Sequence, residues 1–146
     1  MNRLKDPGAP PSNQVMLSFL SAAHALEDRI ERELGQVGLS MSKLGVLTQL
    51  VDAGRPLPLS ELATRVSCVR SNMTQLVDRL EADGLVRRVD DPNDRRSVLA
   101  AVTRLGEERQ TQGARELERV RQEFAAQLPD GERAALARAI ELLRTA

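Results

Sequence analysis

Over residues 14–37, apolar side chains recur at Met16, Phe19, Leu20, Ala23, Leu26, Ile30, Leu34 and Val37, with Glu27, Asp28, Arg29, Glu31 and Arg32 largely on the other side. A spacing of three and four predicts one long amphipathic helix, stopped by Gly38. Ser40 or Ser42 can cap a second helix whose core face is Leu44, Val46, Leu47, Leu50 and Val51, and Gly54 ends it. The run RPLPL then reads as a tight connection, and Ser60 as the N-cap of a short helix, ELATRV.

After a break near Ser67 the helical pattern resumes over residues 68–83. Val69, Met73, Leu76, Val77 and Leu80 share one face, whereas Ser71, Thr74, Gln75 and Asp78 fall opposite, flanked by Asn72 and Arg79. Gly84 supplies the stop. Residues 85–89 and 97–102 are β-rich and flank DDPNDRR, whose Asp, Pro and Asn favour a turn, so a hairpin is expected. Thr103 can cap another long helix to about residue 128, with Leu117, Val120, Phe124 and Leu128 in register, and a last helix over residues 132–144 carries Leu136, Ala139, Ile140 and Leu143.

This order predicts a mainly α protein with a small β-hairpin wing: a winged helix-turn-helix between long terminal helices. Residues 1–13, with three prolines and a glycine, read as a flexible arm, 14–38 as a dimerisation helix, 39–103 as the winged helix-turn-helix and 104–146 as further dimerisation helices, all in one folding unit. The terminal helices cannot all bury their apolar stripes against so small a centre, which predicts a homodimer.

Composition narrows the function. With hydrophobic residues at 41% and charged residues at 29%, the chain reads as soluble, and it holds no apolar run long enough to span a bilayer and no signal-peptide pattern, so a cytoplasmic location is expected. Net charge is zero, 21 Lys and Arg against 21 Asp and Glu, so nucleic acid would have to be bound by local geometry rather than bulk attraction. Aromatic content of 1% offers no platform for stacking single-stranded bases. One histidine and one cysteine cannot assemble a metal site of their own, no carboxylate pair stands in an acid–base motif, and no glycine run forms a phosphate loop. Neither an enzyme nor a cofactor is expected.

The polar face of residues 70–79 offers other chemistry. Ser71, Asn72, Thr74 and Gln75 are short hydrogen-bonding groups that let a helix approach base edges in a major groove, and Arg70 and Arg79 stand at either end for guanine or phosphate. An ordinary solvated helix face has the same periodicity. The turn adds a second reader: Arg95 and Arg96 at the tip of a ribbon can enter a minor groove, whose narrow form has an enhanced negative potential, and Asp94 can pair with Arg96 and hold it in a reaching geometry.

The run LVDRLEADGLVRRVDDPNDRRSVLAAVTRLG resembles the signature of the MarR family of transcriptional regulators, specifically in DRLE, in GLV and in DPNDRR, and the order of elements resembles that family from about residue 14 onward. The resemblance implies that Arg96 enters the minor groove with Asp94 orienting it, that Ser71, Asn72, Thr74 and Gln75 lie on the recognition helix, and that the first and last two helices form the dimer interface. It further implies a homodimer on a palindromic double-stranded operator, commonly a repressor, released by a small effector that is often aromatic or acidic.

Two single residues leave alternatives open. Cys68, near Arg65 and Arg70, is either a small buried hydrophobe or an oxidation-sensitive thiol, although redox-responsive members of the family carry their sensing cysteine in the N-terminal helix, where this chain has none. His24 is either an ordinary interface or surface residue or a ligand and pH contact. The alternative to DNA recognition is a winged-helix module that binds a protein partner; apolar residues on the recognition face would mark it, and polar ones stand there.

Overall fold

The structure, a computed structural model, describes residues 8–66 and 70–145; of Arg70 and Ser71 it describes the backbone alone. The expected break near Ser67, and Cys68 with both of its readings, lie outside the described residues. Among the described residues, six helices and three strands follow in the order α1 (Ser12–Gly35), α2 (Met41–Ala53), β1 (Leu57–Pro58), α3 (Leu59–Arg65), α4 (Arg70–Ala82), β2 (Val86–Asp91), β3 (Asp94–Val102), α5 (Arg104–Gln127) and α6 (Asp130–Arg144).

The apolar stripes read from the sequence close on one another around α2. Leu34 from α1, Leu44, Val46, Leu47 and Leu50 from α2, Leu62 from α3, Met73, Val77 and Leu80 from α4, and Leu57, Leu85, Val86 and Ala100 around the sheet form one buried cluster. Each large side chain withdrawn in this way contributes about 1.5–3 kcal/mol. The helix ends follow ordinary chemistry. Ser40, rather than Ser42, caps α2, its hydroxyl accepting the Lys43 amide at 3.2 Å. Thr103 caps α5 by accepting the Gly106 amide at 3.0 Å.

Several boundaries differ from the sequence reading. Helix α1 begins at Ser12, inside the stretch expected to be a flexible arm. Pro58, not Ser60, precedes the first residue of α3, because proline's fixed φ suits a helix start, and Ser60 lies within the helix, its carbonyl accepting the Thr64 hydroxyl. The RPLPL connection contains a strand: β1 pairs antiparallel with β3, Leu57 opposite Ala100, giving a three-stranded sheet in the order β1-β3-β2. The hairpin strands run further toward the tip than residues 85–89 and 97–102, leaving only Pro92 and Asn93 between them, and the register shifts between the Asp90–Val98 and Asp91–Asp94 pairs so that Arg95, Arg96 and Ser97 bulge out of the ladder.

Helix α5 approaches the rest of the molecule closely at two glycines. A methyl group on Gly106 would stand 2.0 Å from the Leu85 carbonyl oxygen, and one on Gly113 would stand 2.7 Å from Leu39 Cδ1 and 3.0 Å from Leu44 Cδ1. A bare backbone at these points lets the helix lie against the base of the hairpin and against α2. At the other extreme, α6 has no buried residue, and Ile140, Leu142 and Leu143 are exposed, as are Val15, Met16, Phe19 and Leu20 on α1. No helix among the described residues is long and apolar enough to cross a membrane.

The contact at Gly106 predicts that Gly106→Ala destabilises the protein by about 2 kcal/mol or more, the range of an overpacked core site where backbone rather than a flexible side chain must yield. Gly131→Ala in α6, where an added methyl meets nothing within 4 Å, is the control and should stabilise by about 0.5–1 kcal/mol through helix propensity. Urea unfolding of both variants checks this; equal midpoints would refute the close approach.

Candidate nucleic-acid interface

Helix α4 is fixed by one face and presents the other. Met73, Val77 and Leu80 are fully buried, so the positions between them must point away. Asn72, Thr74, Gln75, Asp78 and Arg79 are all exposed. Arg70 and Ser71 open the same helix, their side chains outside the description.

The C-terminal end of α4 is held by three neighbours. Gly84, at φ +75°, turns the chain so that the Leu85 amide donates back to the Leu80 carbonyl at 2.9 Å. The Gly84 carbonyl then accepts the Thr103 hydroxyl at 2.6 Å, tying the helix end to the start of α5. Lys43 Nζ of α2 lies 2.7 Å from Asp83 Oδ2. On the sheet side, Arg88 of β2 donates to Asp78 Oδ1 at 2.5 Å and to Glu81 Oε1 at 3.0 Å, while its backbone amide donates to Glu81 Oε2 at 2.9 Å. Burial acts against the charged guanidinium of Arg88, but the two carboxylates outweigh it and hold its pKa above the ordinary arginine value.

The hairpin projects beside this helix. Its tip is an Asx-type turn, the Asn93 amide donating to Asp91 Oδ1 at 2.9 Å. Asp94, Arg95 and Arg96 stand exposed at the start of β3. Asp94 does not grip the guanidinium of Arg96 as the sequence reading expected: its Oδ1 accepts the Arg96 backbone amide at 2.9 Å. A short aspartate two residues upstream reaches the main chain more readily than the far end of a long side chain, so it sets the ribbon's backbone and leaves the guanidinium to solvent. Among the described side chains of α4 and the hairpin, Arg79, Arg87, Arg95 and Arg96 have no carboxylate partner.

Sequence reasoning brought Asn72, Thr74, Gln75, Arg79, Asp94, Arg95 and Arg96 to the neighbouring helix and hairpin but missed the Arg88 clamp and the Lys43 contact. The clamp had a signal: Asp78 and Glu81 are three apart on one helical edge, and Arg88 is the first inward-facing basic residue of the following strand. The Lys43 contact joins residues forty apart and had none.

Behind α4 lies a cavity of about 460 Å³ bounded by Leu34, Met41, Leu44, Thr48, Leu76 and Leu117 among others, with Arg65 at its edge. Arg65 donates to Glu61 Oε1 through two nitrogens, at 2.8 and 3.2 Å. That hydrogen bonding, helped by Arg55, keeps the Glu61 carboxyl below its ordinary range. A second cleft of about 570 Å³, lined by Phe19, Leu26, Phe124, Leu136 and Ile140 among others, separates α1, α5 and α6. His24 is exposed on α1, outside either lining. No group of three or more His, Cys, Asp and Glu suited to a metal occurs among the described residues.

Residues 39–98 match the family model described as MarR family. Over 104 residues the chain is 33% identical to the HTH-type transcriptional regulator PrsX of Escherichia coli, an alignment covering 70% of this chain and 63% of that protein, so it spans less than two thirds of that relative. In fold it is similar to a MarR family transcriptional regulator from Streptomyces coelicolor solved in complex with DNA, at 29% identity and a TM-score of 0.78, covering 97% of this chain and 91% of that one. AbsC, another MarR family transcriptional regulator from Streptomyces coelicolor, superposes with a TM-score of 0.76 at 26% identity and full coverage of both chains. The relatives named here are transcriptional regulators rather than enzymes. A helix with one buried and one polar face, a ribbon bearing exposed arginines beside it and these matches together identify residues 39–98 as a MarR family domain.

Proposed function

We propose that the protein is a cytoplasmic, homodimeric, sequence-specific regulator that binds double-stranded DNA, represses from a pseudo-palindromic operator and is released by a small-molecule effector. The observation that carries the DNA reading is the pairing of an exposed polar face on α4 with unpartnered arginines on the adjoining hairpin, in a chain of net charge zero. Asn72, Thr74 and Gln75 would read base edges in the major groove, Arg70, Ser71 and Arg79 would add base or phosphate contacts, and Arg96 would enter the minor groove, with Arg95 beside it and Asp94 setting the ribbon. Two such units related by a two-fold axis would meet half-sites about one helical turn, roughly 34 Å, apart. The DNA complex of the Streptomyces coelicolor relative supports this reading. A protein-docking module is less well supported, because the exposed face of α4 carries amides, hydroxyls and charges.

Residues 104–144 and the first helix would supply the dimer surface. The exposed apolar residues of α1 and α6 and the cleft between them support it, since a monomer leaves that area wet. The cavity behind α4 would receive the effector: its lining is mostly apolar, with Arg65 and Thr48 as polar handles, which suits an aromatic body bearing an acid group.

The deciding experiment is selection from random duplex DNA followed by fluorescence-anisotropy titration at fixed salt. A two-fold-symmetric site should be enriched, and Arg96→Ala should bind it about 1–3 kcal/mol more weakly. Undiminished affinity would remove the wing from the interface, and failure to enrich any site would remove the DNA reading. For assembly, Leu136→Asp with Ile140→Asp should convert a dimer into a folded monomer in sedimentation, with operator binding greatly weakened; a variant that stays dimeric would move the interface elsewhere. For the effector, millimolar benzoate should raise the melting temperature and weaken operator binding, and Gly45→Leu, which grows a side chain from the cavity wall, should abolish both effects. Benzoate acting equally on wild type and variant would place any ligand outside this cavity.

A further inference from the structure

The two DNA-facing elements are parts of one reader only if their spacing is fixed, and a single side chain bridges them. Arg88 lies on β2, opposite Ala100 of β3, on the sheet face that looks toward α4. Its guanidinium spans Asp78 and Glu81, one helical turn apart, and Glu81 also takes the Arg88 amide, so main chain and side chain of the strand are both moored to the helix. The side chain is partly buried, with 27% of it exposed. Beyond this point the ribbon loses its moorings to helices: the register shifts between Asp90 and Asp91, and Asp94, Arg95 and Arg96 are exposed.

From this geometry we infer that Arg88 is a positioning residue: it sets the angle between α4 and the hairpin, and through that angle the reach of Arg96, without itself touching DNA. The inference rests on the DNA-binding reading given above. The chemistry is specific to arginine. A planar fork with donors on two nitrogens satisfies two carboxylates at once, whereas a lysine ammonium offers a single point of charge. The same contacts neutralise Asp78, which otherwise presents a carboxylate on the helix face directed at a polyanion.

A double-mutant cycle tests the inference with the full chain and a duplex enriched from random DNA by the wild-type protein, read by anisotropy at fixed salt. In the wild-type background Arg96→Ala should weaken binding about tenfold or more. In the Arg88→Ala background the same substitution should cost less than about threefold, because a ribbon already swung away has little contact left to lose. Glu81→Ala, which removes the acceptor of both the amide and the guanidinium while leaving the ribbon's sequence intact, should reproduce the loss of coupling and serves if Arg88→Ala melts too low to assay. Arg88→Lys should restore part of it. An equal loss from Arg96→Ala in every background, or wild-type affinity in Arg88→Ala, would overturn the positioning role, and a general structural role would lower the melting temperature and leave the cycle additive. Arg96→Ala without effect in the wild-type background would remove the wing from the interface and the positioning role with it, whereas failure to enrich any duplex would overturn the underlying DNA reading instead.

Discussion

The arrangement depends on how closely the first turn of α5 approaches the turn at Gly84 and Leu85. The Thr103 hydroxyl donates to the Gly84 carbonyl at 2.6 Å and accepts the Gly106 amide at 3.0 Å, while the Thr103 amide donates to the Leu85 carbonyl at 3.0 Å. The end of α4, the start of β2, the end of β3 and the start of α5 therefore meet within one hydrogen-bonded knot, and only a residue without a side chain fits at position 106. A two-stranded ribbon alone is of marginal stability, and this knot at its base adds to the support that β1 gives on the free edge of β3. With it, the polar face of α4 and the basic tip keep a fixed relation to a long helix that runs away from them.

Charge is arranged to the same end. Overall neutrality conceals a sorting in which carboxylates hold the basic residues that build the scaffold. Asp83 holds Lys43, Glu61 holds Arg65, Glu33 and Glu116 hold Arg119, and Glu123 pairs with Arg29 between α1 and α5. Exposed pairs of this kind contribute little stability singly, about 0–1 kcal/mol. On α4 and at the hairpin tip, by contrast, Arg79, Arg95 and Arg96 are left without a carboxylate partner.

Much of this was legible in the sequence for a physical reason. Helical stripes are a local property, so the core faces of α1, α2, α4 and α5 follow from spacing alone, as do the caps at Ser40 and Thr103. Non-local events were not legible. The strand at Leu57 exists because β3 offers a free edge, which RPLPL does not announce, and the hairpin extends to Asp90, Asp91 and Asp94 because ladder pairing outweighs the weak strand preference of Asp. For the site, residue types gave the polar face and the tip arginines. The partner of Asp94 did not follow, since an aspartate two residues from an arginine can reach either guanidinium or main chain, and turn geometry decides between them.

The cavity behind α4 gains its meaning from what walls it. Leu34 comes from α1, Leu44 and Thr48 from α2, Arg65 and Val66 from the end of α3, Leu76 from α4 and Leu117 from α5. A ligand there would touch the polar helix and both long helices at once. Leu76 is only half-buried, beside the fully buried Val77 and Met73, so α4 is less tightly held on that side than on the core side. Filling the space would press on α4 at its middle while the Thr103, Lys43 and Arg88 contacts hold its C-terminal end. A helix fixed at one end and pushed at its centre tilts rather than translates. A tilt displaces the N-terminal residues most, and these include Arg70, Ser71 and Asn72, which the proposed DNA contact requires. The same tethers that give the two reading elements a common frame would thereby convert a small change in the cavity into misalignment of that frame, and a ligand with no preference between the two arrangements would shift nothing.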